Sequence, residues 1–208
     1  MSFIVDIETA SKPENELSGL VPKFEAPSNW KDPEKINAAI EQKKKEWLED
    51  GALHANTGIV LVVGILESDS RNITILEGEE SSIIKGFWDF FSETTDMIVG
   101  HNIKGFDVPF ILRRSWLLGI QTPVDIVRGR YINDRFIDTM ERWACGTRDT
   151  ISLDNLSKAF GLPGKSGSGK DFAGQYMLGG DFKKKALDYL RNDLLMTHAV
   201  AKGMGMSL

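Results

Sequence analysis

The chain of 208 residues holds a single cysteine, Cys145. One thiol makes neither an intrachain disulfide nor a cysteine-rich zinc site, so a reducing compartment is the expected setting. Long apolar runs are missing too. The longest, residues 59–66, is far short of the roughly 20 residues a membrane helix needs, which excludes a helical span. No charged leader with an apolar core and cleavage site opens the chain, and a cytoplasmic protein with no membrane partner is expected. Lys and Arg number 25 against 30 Asp and Glu, a net charge of −5, which excludes a histone-like cationic binder. The three histidines, His54, His101 and His198, lack zinc spacing. What remains is ordinary for a folded protein: 41% hydrophobic and 26% charged residues, with no internal repeat.

The patterning predicts an α/β fold on a mixed sheet. Residues 2–7 read as a short buried strand with acids at its end. Residues 57–67 and 72–77 read as two further strands joined by a polar turn, and 96–100 and 135–140 as two more. Apolar spacing predicts helices over 79–92, 105–118, 152–160 and 182–203, the second with Phe110, Leu112, Trp116 and Leu117 as apolar residues. Residues 10–56 break this rhythm and read as an insertion in one domain spanning 1–208. Within it, Asp32 before Pro33 is a helix start, and a helix near 32–50 carries Ile36, Ala39, Ile40 and Trp47 on one stripe.

Three groups of polar residues stand out. Asp6 and Glu8 end the first strand and, two apart, face the same side. The C-terminal ends of strands are where α/β sheets place ligands, although two acids at a strand end, taken alone, are more often solvated than catalytic. Asp107 follows the segment Gly100-His101-Asn102-Ile103-Lys104-Gly105-Phe106 at the start of a helix, where the dipole alone would favour a carboxylate. Tyr189 and Asp193 are four apart on a helix and share a face.

The order Asp6-x-Glu8, then Asn102-x-x-x-Phe106-Asp107, then Tyr189-x-x-x-Asp193 resembles the three signature motifs of the DEDD-type 3′–5′ exonucleases of the ribonuclease H-like superfamily. The tyrosine makes it similar to the DEDDy subgroup, which includes the proofreading domains of family B DNA polymerases. The histidine subgroup would place histidine five before the last aspartate, where this chain has Asp188. The resemblance spans nearly the whole chain except residues 10–56. It implies a three-layer α/β/α ribonuclease H-like fold with a mixed five-stranded sheet. It also implies a phosphodiesterase in which Asp6, Glu8, Asp107 and Asp193 hold two divalent cations, Mg²⁺ or Mn²⁺, while Tyr189 positions the attacking water. Hard cations prefer carboxylate oxygens, and two of them stabilise both oxygens of an in-line displacement. They would also offset four of the five formal negative charges.

The expected activity is removal of nucleoside 5′-monophosphates from the 3′ end of DNA, single-stranded or frayed, with replication or repair proteins as conceivable partners. An RNA 3′-exonuclease similar to ribonuclease D, or a non-catalytic nucleic-acid-binding module on the same fold, are the alternatives. Thr9, His101, Asn102 and Phe106 are candidate substrate contacts from their places beside the motifs. Asp138, near the end of a strand, reads as a surface acid. The segment 164–170, Gly-Lys-Ser-Gly-Ser-Gly-Lys, approaches a phosphate-binding P-loop, but Asp171 stands where Ser or Thr is required and the preceding segment reads as helix. It is read as a flexible loop whose Lys165 and Lys170 touch substrate phosphates. The lysine runs at 43–45 and 183–185 read by default as solvated helix faces; in a nucleic-acid enzyme they would position phosphates without reading sequence.

Overall fold

The computed structural model describes residues 2–124, 126–129, 131–165 and 167–208, the side chain of Arg128 excepted. In chain order the elements are strand β1 (Ser2–Ser11), helices α1 (Glu14–Leu17) and α2 (Pro33–Asp50), strands β2 (Gly58–Glu67) and β3 (Ile73–Glu77), helix α3 (Glu80–Glu93), strand β4 (Met97–Gly100) and helix α4 (Asp107–Leu117). A ribbon of β5 (Val127–Arg128) and β6 (Tyr131–Ile132) precedes β7 (Phe136–Asp138). Helices α5 (Thr139–Ala144), α6 (Leu153–Ala159), α7 (Gly169–Leu178) and α8 (Gly180–Gly203) follow. Two compact units result, Met1–Glu8 with Val60–Leu208, and Thr9–Ile59.

The main sheet has the order β3-β2-β1-β4-β7. β2 and β3 are antiparallel neighbours, as their short connection requires, whereas β4 runs parallel to both β1 and β7 through helical crossovers. Strand alternation sends Phe3 and Asp6 to opposite faces of β1. Phe3 meets Phe90 of α3 edge-on at 4.9 Å, so α3 covers that face. The other face receives α8: a Cβ on Gly64 of β2 would stand 2.8 Å from Leu194 and 3.1 Å from Leu190. The glycine therefore lets a long helix lie close to the sheet on the side where Asp6 and Glu8 point. The architecture is the mixed five-stranded α/β sheet with flanking helices. Its core includes Ile4, Val62, Phe87, Ile98, Phe136 and Leu190, each 0% exposed. A fully buried large apolar side chain contributes about 1.5–3 kcal/mol.

In the smaller unit, Asp32 caps α2 by accepting from the N–H groups of Glu34 and Lys35, with Pro33 at the first helical position. No α2 side chain is fully buried; Ile36, Ala39, Ile40 and Trp47 are half-buried, and Trp47 packs against Phe24 at 6.3 Å. Lys44 is paired with Glu14 at 2.5 Å and Lys43 donates to the Glu25 carbonyl at 2.8 Å, so much of that lysine run is engaged locally.

Local differences from the sequence expectation have physical reasons. The strand expected over 135–140 stops at Asp138, because the Asp138 side chain caps α5 instead of extending the ladder. The loop expected through Lys170 gives way to α7 at Gly169, where the Ser168 hydroxyl accepts from Lys170 N–H. Among the described residues, no helix is long and apolar enough to cross a membrane.

Candidate active site

β1 carries Asp6 and Glu8 past the end of its ladder with β4, whose register runs only from Ser2–Met97 to Ile4–Val99. β4 turns away at Gly100, where a Cβ would lie 2.6 Å from Cβ of Ile103 and 3.0 Å from the Val5 carbonyl. Only a residue without a side chain allows that departure. The chain then loops through Asn102, which takes a left-handed φ of 63° (a conformation asparagine tolerates), and enters α4 at Asp107. The Ile7 N–H, beyond the strand ladder, donates to Asp107 Oδ1 at 3.1 Å. Asp107 is thereby fixed beside the strand that bears Asp6 and Glu8.

The loop itself is held by Asp138. Its Oδ1 accepts from the N–H groups of Asn102 and Met140, both at 2.9 Å, and of Glu141 at 3.3 Å; Oδ2 accepts from Lys104 N–H at 3.1 Å. The residue is 5% exposed, so the expectation of a surface acid is corrected. The pattern Asp138-Thr139-Met140-Glu141, an aspartate with glutamate three residues on, is the available sequence signal for such a cap.

From the other side, α8 presents Tyr189 and Asp193, 7% and 3% exposed. Asp6, Glu8 and Asp193 each offer a carboxylate oxygen within 4.8 Å of the others. Lys165 completes the group. Its ammonium donates to the Tyr189 hydroxyl at 2.8 Å and to Asp193 Oδ2 at 2.5 Å. The loop that carries it is tied to α6: Asp154 Oδ1 accepts from Lys165 N–H at 2.8 Å, and the Ser157 hydroxyl donates to the Pro163 carbonyl at 2.7 Å. Such anchoring replaces the free loop expected here. The P-loop resemblance dissolves as well, because helix α6 rather than a strand precedes the segment; its Ser166 lies outside the described residues.

Crowding sets the electrostatics. Burial, then the charges of Asp107, Glu8 and Asp193, raise the Asp6 carboxyl well above the usual carboxylate range, and Lys165 opposes them. Burial and Asp193 push Glu8 up to about 8. Burial raises Asp107 to about 7 against the lowering effect of the Ile7 hydrogen bond. Burial also moves the Tyr189 phenol above its ordinary value, while the hydrogen bond from Lys165 works the other way. Lys165 is raised, its burial outweighed by Asp193 and Tyr189, so it stays cationic. Asp193 Oδ1 is buried without a hydrogen-bond partner among the described residues. An anionic oxygen left in that state, in a set made wholly of carboxylates, fits a hard divalent cation.

The remaining expected contacts are placed differently. His101 is half-buried with both ring nitrogens engaged, Nδ1 with the Thr139 hydroxyl and Nε2 with the Ile151 carbonyl, each at 2.9 Å. Burial lowers its pKa, the charges of Asp138 and Asp193 oppose that shift, and its two hydrogen bonds tie the loop after β4 to α5 and to the segment before α6. Asn102 shapes the turn. Phe106 is half-buried against Phe110 at 5.4 Å. Thr9 belongs to the smaller unit, where its hydroxyl donates to the Ala52 carbonyl at 2.7 Å. Lys170 is exposed at the start of α7. Lys183 pairs with Glu77 at 3.0 Å and lies over Tyr176 at 4.6 Å.

Residues 52–204 match the model of a family described as a predicted 3′–5′ exonuclease related to the exonuclease domain of PolB. The matched region begins after Asp6 and Glu8, so those two acids join the motif set through the structure. The family B DNA polymerase from the hyperthermophilic archaeon Pyrobaculum calidifontis is similar in fold, with a TM-score of 0.63 and 18% identity over 98% of this chain. The chain spans about a quarter, 24%, of that polymerase's length. No curated protein sequence matches significantly.

Proposed function

The chain belongs to the family of predicted 3′–5′ exonucleases related to the exonuclease domain of PolB, and on that premise we propose that it is a two-metal-dependent nuclease. It removes nucleoside 5′-monophosphates from the 3′ end of DNA, single-stranded or frayed. The observation that carries this reading is the convergence of Asp6, Glu8 and Asp193 within 4.8 Å, with one buried Asp193 oxygen left unpartnered.

Asp6, Glu8 and Asp193, with Asp107 as the fourth carboxylate, would hold Mg²⁺ or Mn²⁺. When bound, such ions supply Lewis-acid stabilisation of charge at the phosphate. The protein's own groups do the rest. Tyr189 keeps its proton near neutral pH because burial holds its pKa up, so it orients the attacking water by hydrogen bonding instead of removing its proton. Lys165 fixes the phenol oxygen and offsets part of the carboxylate charge at Asp193. Asp107 is held by Ile7 N–H, which fixes the direction of its carboxylate. Lys170 and the partly free lysines at 184–185 bring positive charge to an otherwise acidic protein, positioning the strand without reading its sequence.

The test is hydrolysis of 5′-labelled and 3′-labelled DNA and RNA oligonucleotides with Mg²⁺ or Mn²⁺, for wild type and Asp193→Ala. Stepwise shortening from the 3′ end of DNA is expected, with a loss of roughly a thousandfold or more in the variant, the scale of removing a group that acts within a catalytic unit. Cleavage of RNA alone overturns the DNA assignment. Binding of 3′ ends without shortening makes the protein a binding module.

A further inference from the structure

His101 opens the loop that delivers Asp107, and its ring makes two bonds of different reach. Nε2 meets the Ile151 carbonyl and Nδ1 the Thr139 hydroxyl, each at 2.9 Å. A carbonyl only accepts, so Nε2 carries a hydrogen. With burial favouring the neutral ring, Nδ1 then accepts from Thr139. That bond stays close to the start of the loop, since the same hydroxyl reaches the Gly100 carbonyl at 3.2 Å. The Ile151 bond instead spans 50 positions.

Ile151 stands just before α6, and α6 is the anchor of Lys165. Ser152 caps that helix by accepting from Asn155 N–H. Asp154, in its first turn, accepts from Lys165 N–H at 2.8 Å, and Ser157 holds the Pro163 carbonyl. Lys165 in turn donates to the Tyr189 hydroxyl and to Asp193. A continuous path of hydrogen bonds through one helix turn therefore runs from the Asp107 loop to Tyr189. The charges of Lys165 and Asp193 are felt at the His101 ring, as so compact a path requires. Apolar packing keeps α6 on α8 by itself, because Leu153 and Leu156 sit with Met196 and Val200. What the His101 bond adds is the placement of the helix start.

We propose that His101 is a positioning residue for the nuclease reaction: its Nε2–H bond to Ile151 sets the start of α6, and through Asp154 and Lys165 the Tyr189 hydroxyl, relative to Asp107. This rests on the nuclease reading of the carboxylate cluster. It gives the histidine beside the second motif a task that requires no contact with substrate. Two substitutions separate the two bonds. A glutamine amide reaches the place of Nε2 and keeps the Ile151 bond, whereas an asparagine amide reaches only the place of Nδ1 and keeps the Thr139 bond.

The first measurement needs no catalysis. In chelator, the rate at which N-hydroxysuccinimidyl acetate acetylates Lys165 is followed by peptide mass spectrometry. His101→Asn is expected to raise that rate roughly tenfold, the scale of one lost hydrogen bond, while His101→Gln stays near wild type. The second measurement is shortening of DNA from its 3′ end with Mn²⁺. His101→Asn lowers kcat roughly tenfold to a hundredfold with KM unchanged, as a small misplacement of a catalytic group does, and His101→Gln restores most of it. Asp154→Ala has the same effects, and combining it with His101→Asn adds little, because both cut one path. Should His101→Asn not fold, Asp154→Ala must unshield Lys165 while Thr139→Val, which leaves the Ile151 bond in place, must not. Equal effects of asparagine and glutamine, additive effects of His101→Asn and Asp154→Ala, or a Lys165 that answers otherwise to any of these variants overturns the proposal. No shortening by the wild type is failure of the nuclease reading alone, since the acetylation result stands without it.

Discussion

Asp138 and Asp193 are buried aspartates in two regions of the same unit, 5% and 3% exposed, and the fold surrounds them in opposite ways. Around Asp138, four backbone N–H groups saturate both oxygens. Around Asp193, one oxygen meets Lys165, the other meets nothing among the described residues, and Asp6 and Glu8 crowd in. Burial of a carboxylate is costly unless hydrogen bonds compensate it. The first region is therefore complete as it stands and serves structure. The second is complete only with a ligand of opposite charge. The two are linked, because the loop that Asp138 holds is the one that delivers Asp107 to the cluster.

The contrast is open to mutation. Asp138→Ala strands four N–H groups and removes the α5 cap, so a stability loss of roughly 3–5 kcal/mol is expected in denaturant melts, with activity lost alongside. Asp193→Ala in chelator should lose far less, because it relieves repulsion at Asp6 and Glu8. Equal losses in the two variants would erase the distinction. Asp138→Asn is a finer probe. Its Oδ1 keeps three bonds, but its amide nitrogen faces the Lys104 N–H, and an intermediate loss of about 1–2 kcal/mol is expected.

The smallest effect concerns pH. Glu8 and Asp107 are raised in the folded chain to about 8 and about 7, from ordinary values of 4.5 and 3.8. Between those limits the folded state binds protons that the unfolded state has released, so stability falls as pH rises through the window. In chelator, Tm should be higher at pH 6 than at pH 8, because the folded chain loses these protons across that range. Saturating Mg²⁺ or Mn²⁺ should flatten the slope. A chelated protein whose Tm does not change over that range would mean the carboxylates are not crowded as described.

How legible each feature was depended on where its partners lie in the chain. The order of strands and helices could be read from apolar spacing, and errors fell at ends, as at 135–140, where a side-chain cap overrode the strand pattern. Lys165 was visible only as a loop lysine. Its aim at Tyr189 needs Asp154 to hold its backbone, and no local pattern announces that tie. His101 and Asn102 were legible only as neighbours of a motif; that the His101 ring bonds Thr139 and Ile151, and that the Asn102 backbone N–H bonds Asp138, depends on partners 36 to 50 positions away.

The sequence by itself determined the pairs that lie within one element. Asp6 and Glu8 share a side because strand side chains repeat every two residues, and Tyr189 and Asp193 share one because a helix repeats every 3.6. Only the tertiary structure decided the contacts between elements: Ile7 with Asp107 across 100 positions, Asp138 with Asn102 across 36, and Lys165 with Tyr189 across 24. Such contacts depend on how close α8 and the 101–106 loop come to the sheet. That approach is set by packing at Gly64 and Gly100, which local periodicity does not encode.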